Sequence, residues 1–110
     1  MIDSEYEKMI VEIISSSGTA RSHVFEALQE AKKYNFEKVD ELLDMADSEL
    51  NIAHRFQTDI IRQEIMGNND SVSMLMVHAQ DHLMTSMLAR DLAEDIANLY
   101  REIYALKNNE

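Results

Sequence analysis

The chain has 110 residues, a net charge of −11, no cysteine and no proline. This length predicts a single domain, residues 1–110, with one modest core. The negative charge disfavours nucleic acid and anionic lipid as partners, and the lack of cysteine excludes disulfides and zinc–thiolate sites. No apolar run approaches the ~20 residues of a transmembrane helix, and the acidic N-terminus does not look like a secretion signal, so we expect a soluble, cytoplasmic protein.

Three long helices are predicted, because helix breakers are scarce and the apolar residues favour helix over strand. The first runs from about Ser4 to Lys33. Its apolar stripe recurs every three or four residues, at Tyr6, Ile10, Ile13, Ser17, Ala20, Val24, Ala27 and Ala31. Weak helix formers and a glycine at Ser15–Thr19 predict a kink. We attribute this kink to packing, with the close approach of another backbone or a ligand as the alternative.

The second helix is predicted from Phe36 to Met66, after a short turn. Gly67 ends it, and Asp70 or Ser71 can cap a third helix that runs from about Val72 to Leu106. Short connections make neighbouring helices antiparallel, so the predicted fold is all-α, a hairpin bundle of three long helices. The stripe of the second helix is Val39, Leu43, Ala46, Leu50, Ala53, Gln57 and Ile60.

The third helix carries two apolar faces. One contains Met76, Ala79, Leu83 and Met87, and the opposite face contains Met74, Val77, Asp81, Thr85, Leu88, Leu92 and Leu99. A three-helix hairpin buries one face of each helix, so the second face predicts symmetric association with other chains. Around a threefold axis, three Asp81 carboxylates would repel each other, and a hard divalent cation would relieve this. Alternatively, Asp81 only fixes the register and the oligomeric state.

Two histidines lie one turn apart on this helix, His78 and His82, with Asp81 close beside them. A neutral imidazole nitrogen can attack phosphorus, and a neighbouring histidine can hold the phosphoryl oxygens. Spacing alone leaves two other interpretations open, namely histidines that satisfy their nitrogens locally and a zinc-type site of His78, Asp81 and His82. The sequence contains neither His-Glu-x-x-His nor Glu-x-x-His, which counts against a metalloenzyme.

The segment His78–Thr85, HAQDHLMT, closely resembles the active-site stretch of lactose/cellobiose-type enzyme IIA proteins of the bacterial phosphoenolpyruvate-dependent sugar phosphotransferase system. Two further segments are similar to those on the family's first and second helices, Gly18–Ser22 (GTARS) and Ala53–Thr58 (AHRFQT). The three segments occur in the family's order, and the resemblance covers nearly the whole chain.

The resemblance implies a phosphotransferase component with a phosphohistidine intermediate. His78 would accept a phosphoryl group from the phosphocarrier protein HPr and pass it to a cysteine of the cognate enzyme IIB, with enzyme IIC as the membrane component. His82 is the candidate to contact the phosphoryl group, whereas Gln80 points elsewhere on the helix. The family's fold further implies a homotrimer of nine helices, with Asp81 of three subunits binding one Mg²⁺ or similar cation at the axis.

Two alternatives to the phosphocarrier remain open at this stage. One is a trimeric helical adaptor without catalytic function. The other is a small helical metal-binding protein that uses His78, Asp81 and His82. Acid-labile phosphorylation of His78 would separate the phosphocarrier from both.

Overall fold

The computed structural model describes residues 4–67 and 73–109. They form three helices, α1 (Ser4–Lys32), α2 (Phe36–Ile65) and α3 (Met74–Lys107), and this part of the chain contains no strand. The prediction of an all-α hairpin of three long helices is therefore confirmed. The helix ends agree with the predicted ones to within one residue wherever both fall on described residues. No described helix is long and apolar enough to cross a membrane.

The N-cap of α3 is Ser73, whose hydroxyl oxygen accepts a hydrogen bond from the backbone N–H of Met76 at 3.1 Å. This bond satisfies one of the N–H groups that a helix start leaves without a partner. The caps expected from the sequence, Asp70 and Ser71, and the expected first residue, Val72, lie outside the described residues. Ser73 thus starts the helix a little more than one turn before His78, the first of the two histidines.

The predicted apolar stripes form the core. The stripe of α1 is buried from Ile10 to Ala31, and that of α2 from Val39 to Ile60, with only Gln57 half-buried. Leu42 on α2 is also buried, at 2% exposure, although we did not predict it. One face of α3 completes the core through Met76, Ala79 and Leu83, with Met87 packed against it.

The predicted kink in α1 is not accompanied by a break, because the helix is continuous through Ser15–Thr19. The Thr19 hydroxyl donates to the Ser15 carbonyl at 3.0 Å, which occupies the hydroxyl within the helix. A Cβ built on Gly18 would meet nothing within 4 Å among the described residues, so no close neighbour there requires a glycine. The outer side of α1 is therefore open at this point.

Contacts between the helices fix their register. α2 and α3 are antiparallel, and Arg90 of α3 pairs with Asp47 of α2 through two nitrogens, at 2.6 and 2.9 Å. α1 and α3 are parallel, and the buried Ser86 hydroxyl donates to the Ser17 carbonyl at 3.1 Å. This register places the middle of α1 beside the histidine-bearing turns of α3.

The second apolar face of α3 has no cover within the chain. Every one of its predicted members is exposed, including Val77 at 45%, Leu88 at 59% and Leu99 at 59%. The face continues toward the end of the helix through Ile103 and Leu106. A long apolar stripe left in water is the expected mark of an association surface.

Candidate functional site

The histidine pair lies on the second and third turns of α3. His78 is exposed, His82 is half-buried, and their rings meet edge to face with centroids 4.5 Å apart and planes at 89°. Ala79 and Leu83, the next residue after each histidine, are both fully buried. Because these two anchors fix the rotation of the helix, the histidines are held at one edge of its buried face.

A shallow depression of about 300 Å³ contains the predicted residues His78, Asp81 and His82. Two further residues line it, Arg21 from α1 and Thr85 from α3. The structure thus brings together all three predicted site residues at one opening between α1 and α3. The depression is open to solvent.

Arg21 reaches across from α1 to the backbone of α3. Its Nη2 donates to the Thr85 hydroxyl oxygen and to the His82 carbonyl, the latter at 3.4 Å. The Thr85 hydroxyl in turn donates to the Asp81 carbonyl at 2.6 Å. The guanidinium is therefore fixed against the helical turn that carries Asp81 and His82.

The two ring nitrogens of His82 have different surroundings. Nδ1 is buried and has no hydrogen-bond partner among the described residues, whereas Nε2 is not enclosed in this way. Since a buried N–H without an acceptor is costly, we assign the proton of the neutral ring to Nε2. Burial lowers the pKa of His82, the charges of His78 and Arg21 lower it further, and Asp81 acts in the opposite direction. His82 is therefore a neutral donor at neutral pH.

Gln80 does not line the depression. Its side-chain oxygen accepts a hydrogen bond from Gln57 Nε2, which ties α3 to α2 on the other side of the helix. This agrees with the expectation that Gln80 points away from the histidine site. His54 lies apart as well, at a second groove of about 490 Å³ between α2 and α3 that Asp47 and Arg90 also line.

A metal site within one chain is not formed by the described residues, because no three His, Asp or Glu side chains are grouped to hold an ion. The zinc-type interpretation of His78, Asp81 and His82 therefore lacks a ligand cluster. Asp81 is exposed on the uncovered apolar face of α3. Its carboxylate suits a hard cation, but further oxygen ligands would have to come from other copies of the chain.

Comparison with known proteins places this fold and site in context. Residues 8–101 match the family model for the lactose/cellobiose-specific IIA subunit of the phosphotransferase system. The chain is 40% identical over 102 residues to the lichenan-specific phosphotransferase enzyme IIA component of Bacillus subtilis (strain 168), with 93% of each chain covered. It is also 40% identical over 101 residues to the N,N'-diacetylchitobiose-specific EIIA component of Escherichia coli (strain K12), with 92% of this chain and 87% of that protein covered.

Solved structures of enzyme IIA proteins have the same fold as this chain. The cellobiose-specific enzyme IIA from Bacillus anthracis superimposes with a TM-score of 0.90 at 38% identity, over 96% of this chain and 95% of that one. The IIA(chitobiose) chain of a IIA–HPr complex superimposes with a TM-score of 0.81 at 36% identity, over 93% and 99%. The fold and these relatives define an enzyme IIA component of a sugar phosphotransferase system. The chain belongs to the lactose/cellobiose-specific IIA family.

Two lining residues received no role in the sequence analysis. Thr85 was assigned to the second apolar face and noted as the last residue of the family-like segment His78–Thr85, and Arg21 was noted only as part of the family-like segment GTARS. That segment was the available signal for Arg21. Its contact with Thr85 joins positions 64 residues apart, which helical periodicity within a single segment cannot reveal.

Proposed function

We propose that the chain is a cytoplasmic phosphocarrier in sugar uptake. His78 accepts a phosphoryl group from phosphorylated HPr and passes it to a cysteine of the cognate enzyme IIB, which serves the membrane component enzyme IIC. The observation that carries the proposal is the exposed imidazole of His78 on a rigid helix, at an open depression and in contact with a neutral His82. The solved complex of a IIA(chitobiose) relative with HPr supports the choice of donor.

Two displacements at phosphorus make up the proposed relay. An unprotonated ring nitrogen of His78 attacks the phosphoryl group, and the N–P bond to the donor histidine breaks with its electron pair returning to that imidazole. The thiolate of enzyme IIB then attacks the same phosphorus, and the electron pair of the His78 N–P bond returns to His78. Such transfers depend mainly on positioning and on stabilising charge on the phosphoryl oxygens.

His82 is the proposed auxiliary residue. With its proton on Nε2 and its Nδ1 buried, it offers one N–H donor on a ring that contacts His78. A neutral donor can hydrogen-bond a phosphoryl oxygen without protonating the phosphohistidine. The intermediate thus stays able to transfer its phosphoryl group to the next partner.

A homotrimer is the proposed assembly, in which the uncovered apolar face of α3 lies around a threefold axis. Asp81 lies on that face and would bring three carboxylates together, which fits one Mg²⁺ or a similar divalent cation per trimer. When bound, the cation would neutralise these carboxylates. It has no part in the phosphoryl transfer at His78.

Relatives of similar identity to this chain include components specific for lichenan, N,N'-diacetylchitobiose and lactose. Sequence identity at this level therefore does not separate the sugars, and we assign their choice to enzyme IIC.

Stepwise reconstitution tests the relay. The chain is incubated with phosphoenolpyruvate, enzyme I and HPr, freed of these proteins, and then mixed with enzyme IIB. We expect one acid-labile phosphoryl group by intact-mass spectrometry, which then moves to the cysteine of enzyme IIB. No phosphorylation by demonstrably phosphorylated HPr would refute the phosphocarrier and leave the adaptor or the metal-binding protein.

A further inference from the structure

Arg21 differs from the other cations of the described chain. Several of them pair with carboxylates, as Arg90 does with Asp47 and Glu94. Arg21 makes no such ion pair within residues 4–67 and 73–109, although the protein contains 21 acidic residues. The other Lys and Arg side chains that have no carboxylate partner among the described residues are exposed, whereas Arg21 is half-buried. A half-buried guanidinium without a counter-charge is costly unless an anion binds to it.

The hydrogen bonds of Arg21 leave most of its donors free. Only Nη2 is used, toward Thr85 and the His82 carbonyl, and Nε and Nη1 have no partner in the described part of the chain. The bonds to α3 hold the guanidinium in place, and the free N–H groups belong to a side chain that lines the same depression as His78. An arginine fixed on one side and free on the other is suited to binding phosphate oxygens.

From this geometry, and on the basis of the function proposed above, we infer that Arg21 binds the phosphoryl group carried by His78. Its free N–H groups donate to the phosphoryl oxygens during the transfer and in the phosphohistidine intermediate. Thr85 is the positioning residue, since its hydroxyl accepts from Nη2 and donates to the Asp81 carbonyl. The positive charge also attracts the dianionic phosphoryl group to a protein whose net charge is −11.

The test compares Arg21→Gln and Arg21→Lys with wild type and with Arg62→Gln. Arg62 is 68% exposed on α2, and its ion pair within the described residues is with Asp59, at 3.8 Å, so its substitution removes one positive charge away from the depression. Phosphoryl transfer from phosphorylated HPr is followed in both directions, which gives two rates and the equilibrium constant. We expect Arg21→Gln to slow acceptance at least ~10-fold, as loss of a charge-stabilising donor does in other enzymes. Arg21→Lys should fall between Arg21→Gln and wild type, and Arg62→Gln should match wild type.

The equilibrium constant separates phosphoryl binding from a structural role. If Arg21 only supports docking of HPr, forward and reverse rates fall together and the equilibrium is unchanged, which would overturn the inference. If Arg21 holds the phosphoryl group on His78, the equilibrium shifts toward phosphorylated HPr in Arg21→Gln. Should Arg21→Gln fail to fold, the shift in Arg21→Lys decides. Failure of wild type itself to accept a phosphoryl group would refute the proposed function, whereas normal transfer by both variants would refute only the role of Arg21.

Discussion

The imidazole rings of His78 and His82 contact each other edge to face, with centroids 4.5 Å apart. The charge of His78 at this distance lowers the pKa of His82, and the charge of Arg21 acts in the same direction. Burial adds to these charges in lowering the pKa of His82, so this ring is uncharged at neutral pH. An uncharged His82 can act as a hydrogen-bond donor beside the proposed nucleophile, His78.

His82 should titrate below its ordinary value of 6.5, because burial and the nearby positive charges lower its pKa. We expect NMR titration in metal-free buffer to show this shift, and Arg21→Gln to move the pKa of His82 back up. An unshifted His82 in wild type would contradict the assigned surroundings of its ring.

The same shift predicts how stability depends on pH. Because the pKa of His82 is lower in the folded state, the unfolded state takes up the proton first as the pH falls. The free energy of unfolding should therefore decrease on acidification below pH 6.5. Denaturant unfolding at several pH values should give a shallower decrease for His82→Gln than for wild type. If the free energy of unfolding depends on pH equally in both proteins, His82 is not the group that causes the decrease.

The two faces of α3 should respond differently to substitution. Leu83 is fully buried, so Leu83→Ala should lower the free energy of unfolding by ~2–5 kcal/mol. Leu88 is 59% exposed in the single chain, and Leu88→Glu should weaken self-association while the helical signal in circular dichroism is kept. Sedimentation velocity and urea unfolding measure the two effects. If Leu88→Glu self-associates as strongly as wild type, this face is not the subunit interface.

The ion pair of Arg90 and Asp47 should contribute modestly to the attachment of α3 to α2. The Asp47 side chain is 43% exposed, so solvent screens the pair, and we expect Asp47→Asn to cost about 1 kcal/mol. Asp91→Asn is the matched control, because Asp91 is 79% exposed and lies 3.9 Å from Arg90. Thermal unfolding at low and high salt measures the difference, which should shrink with salt. Equal stability of the two variants would show that the contact with Asp47 has no special contribution.

Asp81→Leu tests the proposed axial cation. The substitution removes the proposed ligands and also the repulsion among three carboxylates, so we expect loss of bound metal with the fold and the trimer retained. Equilibrium dialysis against Mn²⁺ as a probe, combined with sedimentation, measures both. Asp44→Leu serves as control, since Asp44 is an exposed carboxylate on α2. Metal retained by Asp81→Leu would rule out Asp81 as the ligand, and loss of its trimer would mean that the ion holds the assembly together.

Periodicity predicted the helices well, because burial of a stripe is a local property of each helix. Ile13, Ala46 and Leu83 were all assigned to the core and are buried at 5% exposure or less. The same pattern predicted the uncovered face of α3, including Asp81. Three apolar stripes of this length leave little freedom for another arrangement of the chain.

Features that depend on packing between helices could not be predicted in this way. The kink predicted near Gly18 does not break the helix, because one glycine in a helix costs only ~1 kcal/mol and burial of neighbours such as Ala20 outweighs this. Likewise, Arg21 acts through a side chain that extends to another helix. Its role follows from the register of α1 against α3, on which the spacing within either helix gives no information.

The most direct measurement of the central claim is intact-mass spectrometry of His78→Gln beside His54→Gln after incubation with phosphoenolpyruvate, enzyme I and HPr. Both histidines are exposed, but only His78 lies at the depression with Arg21 and His82. We predict that His54→Gln gains one acid-labile phosphoryl group as wild type does, and that folded His78→Gln gains none. Phosphorylation of His78→Gln, or its loss in His54→Gln alone, would place the acceptor elsewhere and contradict the proposed site.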